Sequence, residues 1–181
     1  ISRAVVGDAR SSSPRVVHDD GMGDFVADDN EARFAGPLYV SSHALASDPV
    51  VLKKLGITHV VNVTPDHPNC GSAPGVRFLR LPVVDVADFD IRSHFEAACD
   101  FIDKAFSRDA HEGAPARVLV HCRAGKSRAP TIAAAWMMRC DAGLSGARAL
   151  AYLRECRPRA KPNDGFRAQL QDHFFLETRV M

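Results

Sequence analysis

From Phe34 onward the apolar residues fall into short β-branched runs separated by longer amphipathic stretches, the pattern of strands interleaved with helices. Leu38-Tyr39-Val40 predicts a short strand, and Pro49 to Leu55 a helical turn or two closed by Gly56. Thr58-His59-Val60-Val61-Asn62-Val63, bounded by Gly56 and Pro65, predicts a buried strand of a parallel sheet, and a second strand follows over Val76 to Val83. Between Ile91 and Phe106 the residues Phe95, Ala98, Phe101, Ile102 and Phe106 recur at helical spacing, which predicts an amphipathic helix packed on the core. The charged loop Arg108 to Ala116 leads into Val118-Leu119-Val120, a compact strand that ends at His121-Cys122. Pro130 then suits the first turn of an Ala-rich helix running through Met138. Ser145 to Cys156 and Asp164 to Leu176 predict two further helices, with Ser145 and either Asn163 or Asp164 as N-caps.

This alternation argues for an α/β fold with a mostly parallel central sheet flanked by helices. The first thirty residues carry only isolated apolar positions among Ser11-Ser12-Ser13 and scattered aspartates, so residues 1–30 read as a flexible leader and 31–181 as one globular domain. A composition 46% hydrophobic and 25% charged excludes a fibrous or wholly disordered chain. The formal net charge of +1 gives no general electrostatic reason to expect nucleic acid or an anionic membrane as partner. Five cysteines without a CxxC pair fit neither a disulfide scaffold nor a zinc site, which favours a reducing setting: the cytoplasm, and the nucleus beside it. The longest apolar run, Ile132 to Met138, is too short to span a bilayer, so no transmembrane segment is expected.

The chemistry concentrates where the strand ending at Cys122 meets the helix beginning near Arg128. In α/β folds ligands bind beyond the carboxyl ends of strands. A loop ending at a helix N-terminus offers unpaired backbone N–H groups and the positive end of the dipole, a seat for a tetrahedral anion such as phosphate. The same field favours a thiolate, and cysteines so placed can titrate at roughly 3.5 to 7.5. Gly125 lets the loop curl, and Arg128 can offer a planar fork to two phosphate oxygens. A thiolate still needs a partner to protonate the leaving group and then activate water. Asp85, Asp88 and Asp90 follow the predicted strand Val76 to Val83, and spacing alone does not choose among them.

His121-Cys122-Arg123-Ala124-Gly125-Lys126-Ser127-Arg128 resembles the HCxxGxxR signature of the protein tyrosine phosphatase superfamily, in the SR form common among dual-specificity phosphatases. Gly56 to Pro65 is similar to MAP-kinase-phosphatase-type domains, and Pro162-Asn163-Asp164-Gly165-Phe166 with Gln169-Leu170 extends the likeness, which covers about residues 34–176. The resemblance implies a protein tyrosine phosphatase-like fold and hydrolysis of phosphotyrosine and phosphoserine or phosphothreonine on proteins through a phosphocysteine. It implies Cys122 as nucleophile, Arg128 as phosphate ligand, His121 as the residue that orients the loop and supports the thiolate, and Arg123, Ala124, Gly125, Lys126 and Ser127 as backbone donors to phosphate. It also selects Asp85 as general acid, with Asp88 in reserve, whereas Asp90 helps begin the next helix. No metal or other cofactor is expected, and the partner is a phosphorylated protein, a MAP kinase among the candidates.

One position departs from the pattern. The family usually has Ser or Thr after the arginine, where the hydroxyl assists the departing sulfur, and this chain has Ala129. Slow phosphoenzyme breakdown is the enzymatic consequence, and a phosphate-binding pseudophosphatase is the rival reading. Arg123 and Lys126 add two cations to the loop, a feature similar to phosphoinositide and phospholipid phosphatases. Some glucan-directed relatives carry the same Arg-Ala-Pro run. Lipid-directed and glucan-directed phosphatases are therefore the alternative enzymes.

Overall fold

The computed structural model describes residues 15–19, 23–27, 37–69, 73–107 and 116–177. Its sheet has six strands in the order β1-β2-β3-β6-β4-β5. These are β1 (Arg15–Asp19), β2 (Gly23–Ala27), β3 (Leu38–Ser42), β4 (His59–Asn62), β5 (Arg77–Arg80) and β6 (Val118–Cys122). β3, β6, β4 and β5 run parallel, whereas β2 pairs antiparallel with β3 and β1 pairs antiparallel with β2. The fold is therefore the α/β arrangement that the alternating pattern predicts.

Two expectations are modified. The stretch read as a flexible leader contributes β1 and β2, because Val16, Val17, Phe25 and Val26 lie in two runs that pair with each other in register. Four isolated apolar residues carry little periodic signal, and pairing with the sheet edge supplies what the local pattern lacks. The rest of residues 1–30, Cys70 and the loop 108–115 lie outside the described residues. The strand expected over Val76 to Val83 is shorter, Arg77–Arg80, because β5 is an edge strand and the chain leaves the sheet at Leu81.

The sheet's pleat sorts its side chains between two cores. Leu38, Val40, Val61, Val118 and Val120 face the main core with α3 (Phe95–Phe106), α4 (Arg128–Cys140), α5 (Gly146–Cys156) and α6 (Asp164–Glu177). Tyr39, Val60 and Leu119 face a smaller cluster with Ala46 of α1 (His43–Ala46) and Leu52 of α2 (Pro49–Lys54). Helices thus cover both faces. α4 is buried from Arg128 through Met138, which explains why its sequence is apolar on every side instead of amphipathic. It is tied to α3 where Trp136 Nε1 donates to Asp103 at 2.8 Å and Arg139 pairs with Asp100 and Asp103. Among the described residues no helix is long and apolar enough to cross a membrane.

Ser145 caps α5 by accepting from the Arg148 N–H, and Asn163 rather than Asp164 caps α6, its Oδ1 accepting from the Phe166 N–H at 2.9 Å. The predicted helix from Ile91 begins as a 3₁₀ turn at Arg92–His94, where Asp90 Oδ1 accepts from the Ser93 N–H.

Candidate active site

β6 is hydrogen-bonded on both sides, to β3 and to β4, so its carboxyl end is held from both flanks. Cys122 ends it, 1% exposed, and after five intervening residues α4 begins at Arg128. Each backbone carbonyl of the intervening loop accepts a hydrogen bond. Arg123 O accepts from the His43 N–H at 3.2 Å, Lys126 O from the Lys161 N–H at 2.7 Å, and Ser127 O from the Thr131 N–H at 3.1 Å. Ala124 O and Gly125 O accept from the guanidinium of buried Arg157, at 3.3 and 2.7 Å. Carbonyl and N–H point in opposite directions across a trans peptide, so pinning the carbonyls on the flanking elements turns the amides of Ala124 through Arg128 toward the opposite side. A bowl of N–H groups at the N-terminus of a thirteen-residue helix is an anion seat.

Gly125 makes the curl possible. Its φ is +61°, and a Cβ there would lie 2.5 Å from Ser41 O on β3. Arg128 is 7% exposed; its Nη1 donates to Val83 O at 3.1 Å, which fixes the guanidinium under the segment that carries Asp85. Its Nε is buried without a hydrogen bond, the Asp85 carboxylate being 3.5 Å away, and is thus a donor left for an anion. Ser127 precedes α4, yet its hydroxyl does not cap the helix. It donates to Asp85 Oδ1 at 2.6 Å, which leaves the first amides of α4 to the bowl.

The structure brings Asp85 to Ser127 and Arg128 of the loop that follows Cys122, whereas His121 lies on the other face of the sheet. Of the three aspartates that follow β5, Asp85 is held against Ser127 and Arg128, Asp90 begins the 3₁₀ turn, and Asp88 stays exposed. Residues that the sequence reading missed are Arg157, which straps the loop, and Asn163, whose amide reaches Asp85 at 3.0 Å. The sequence marks Asn163 as a helix cap and as part of the Pro162 to Phe166 likeness, without a link to Asp85, and no local signal marks Arg157.

His121 and Cys122 are adjacent in a strand, so the pleat turns them to opposite faces. His121 lies 2% exposed toward α1, its ring centroid 5.7 Å from that of His43, which stacks on His67 at 4.1 Å. Stacked rings do not aim their nitrogens at one point, and among the described residues no group of three or more His, Cys, Asp or Glu could hold a metal ion. Burial, helped by neighbouring His43, pushes His121 down to about 3, and burial also lowers His43. His121 is therefore uncharged at neutral pH and adds no positive charge at the end of β6.

A folded-state value below the ordinary 6.5 means that between pH 6.5 and about 3 the unfolded chain binds a proton that the native chain does not. Stability rises with pH through that window and is lost as pH falls, by up to about 1.4 kcal/mol per pH unit for one such group. Thermal unfolding of the wild type and His121→Gln from pH 7.5 to 4.5 isolates the histidine, and a shallower slope in the variant is the expected result.

Residues 38–174 match the family model "Dual specificity phosphatase, catalytic domain". "Dual specificity protein phosphatase 1" of Arabidopsis thaliana is 40% identical over 139 residues, covering 75% of this chain and 64% of that protein. Human "Dual specificity phosphatase 28" is 36% identical over 141 residues, covering 78% of this chain and 76% of that one. Its crystal structure superposes with a TM-score of 0.69 at 34% identity, over 80% of this chain and 95% of that one. The chain spans less than two thirds of the Arabidopsis protein's length.

Proposed function

The chain belongs to the dual-specificity phosphatase family, and from that membership we propose that it hydrolyses phosphotyrosine and phosphoserine or phosphothreonine on proteins, with Cys122 as nucleophile. The observation that carries this reading is the loop after Cys122 whose five carbonyls are all engaged by flanking groups, which leaves its amides to face an anion. Such a bowl stabilises the equatorial oxygens of a phosphoryl group as it transfers.

In the first step the Cys122 sulfur forms a bond to phosphorus, the bond from phosphorus to the ester oxygen breaks, and Asp85 gives that oxygen its proton. In the second, water attacks the phosphocysteine, Asp85 takes a proton from the water, and the P–S bond breaks to release phosphate and regenerate the thiolate. Arg128 supplies the fork that holds phosphate through both steps, with the amides of Ala124 to Arg128 around it. Phosphorylated proteins are the proposed substrates, a MAP kinase among them, and the cytoplasm or nucleus the proposed place.

Ala129 is fully buried at the start of α4, where the family usually has a hydroxyl. The second step should therefore limit turnover. With chelator present, rapid-quench assays on para-nitrophenyl phosphate and on phosphotyrosyl and phosphothreonyl peptides are expected to show a burst approaching one product per chain, and Ala129→Ser to raise the steady-state rate. A folded protein that binds phosphopeptide without turnover at any pH would replace this reading with the pseudophosphatase. Faster hydrolysis of inositol phosphates than of any phosphopeptide would move it to the lipid-directed class.

A further inference from the structure

We propose that Asn163 is a positioning residue for the carboxyl group of Asp85, and that one face of α6 is the dock that holds the acid-bearing loop over the phosphate bowl. This rests on the reading of Asp85 as proton donor. Asn163 joins both sides of the site: its Nδ2 donates to Asp85 Oδ1 at 3.0 Å, and its backbone N–H donates to Ser127 Oγ at 3.2 Å. Ser127 in turn donates to the same Asp85 oxygen, so two donors converge on Oδ1. The orientation of the amide is not free. Its Oδ1 accepts from the Phe166 N–H, a group that can only donate, so the NH₂ end must face the aspartate.

Two further contacts lie along the same helix and reach the same loop. A Cβ on Gly165 would collide with the carbonyl group of Ala87, so the backbone two residues past Asp85 rests on α6 where a methyl group has no room. One turn on, Gln169 Nε2 donates to Phe89 O at 2.8 Å while its Oε1 accepts from the Arg92 N–H at 3.1 Å. Loop positions 85, 87, 89 and 92 are thus fixed by Asn163, Gly165 and Gln169. A helix cap alone would need only the acceptor of Asn163. The donor half of its amide is spent on Asp85.

The cation placed against Asp85 is Arg128 of α4, and on α6 the charge of Asp164 is paired with Arg167. A carboxylate introduced at position 163 would therefore meet Asp85 with nothing on its own helix to offset it, and should make the Asp85 proton harder to remove.

The test uses leaving groups. Phenyl phosphate needs its departing oxygen protonated, whereas a difluorinated umbelliferyl phosphate needs this little. Asn163→Ser keeps a capping acceptor and removes the amide NH₂ that reaches Asp85. It is expected to lower kcat/KM for phenyl phosphate about 10- to 100-fold and for the fluorinated ester less than about 3-fold. Gly165→Ala, which leaves Asn163 intact and lifts the loop, should show the same selectivity. Asn163→Asp should move the alkaline limb of the kcat/KM profile to higher pH. Asp85→Asn should show the largest selective loss, and adding Asn163→Ser to it should cause no more. Equal losses on both esters, or losses that add in the double variant, would overturn the dock while leaving Asp85 as acid. Absence of selectivity in Asp85→Asn would overturn the acid assignment and the dock with it.

Discussion

Cys122→Ser should lower para-nitrophenyl phosphate turnover by at least about 10⁴-fold, the scale seen when an enzyme loses its nucleophile, while phosphate binding stays within a few-fold of wild type. The two effects separate because the bowl and the nucleophile are built from different groups. Carbonyl contacts from His43, Arg157, Lys161 and Thr131 shape the loop, and none of them involves the Cys122 side chain. A hydroxyl occupies nearly the space of a thiol at this buried end of β6, so the anion seat should persist. Its oxygen stays protonated near neutral pH and attacks phosphorus poorly. Single-turnover kinetics and calorimetric titration with a phosphopeptide measure the two quantities on the same preparation. Turnover within about tenfold of wild type would remove Cys122 from the reaction.

Gly125→Ala should be the most damaging single-methyl change in the loop. The backbone at φ +61° disfavours any side chain, and the added Cβ would lie 2.5 Å from Ser41 O, 2.6 Å from Ser41 C and 2.6 Å from an Arg157 nitrogen. Two of those three atoms are the backbone of β3, whose Ser42 pairs with Cys122 itself, so no rotamer change relieves the contact. Relief requires the loop to shift, which misaims its amides and loosens the Arg157 strap. Strain of this kind amounts to about 1–3 kcal/mol. In a chain of this size that is a fall of roughly 2–4 °C in Tm for each kcal/mol. Misaimed donors should lower kcat by about 10²- to 10³-fold. Gly75→Ala is the control: its φ is +82°, and nothing lies within 4 Å of the added atom. It should lower Tm by the strain alone and leave kcat unchanged. If Gly125→Ala behaves like Gly75→Ala in kinetic assays, the close approach to Ser41 does not govern the bowl.

The anion loop was legible in the sequence because its parts are local. Cys122, Gly125 and Arg128 lie within one strand-loop-helix unit, and β-branched residues before them and Pro130 after them announce its two ends. The strands β3, β4 and β6 were equally plain, since each is a buried run bounded by turn residues. β5 was overestimated in length because Leu81 and Val83 are buried without belonging to a strand; they pack on the main core as the chain turns toward the acid loop. β1 and β2 escaped notice because their order comes from pairing with the sheet edge.

The sequence by itself determined an α/β chain with a cysteine at the end of a central strand and an arginine at the start of the next helix, because strand and helix periods and loop chemistry are written in neighbouring residues. Only the tertiary structure decided which groups complete the site. Asp85 meets Ser127 across 42 residues, Arg157 reaches Gly125 across 32, and Asn163 reaches Asp85 across 78. The pleat sent His121 and Cys122 to opposite faces, so one lies beside the His43–His67 stack and the other on the main-core face where the loop begins. Such choices depend on which faces the packed sheet and helices bring together, and a contact between distant positions leaves no period in either segment.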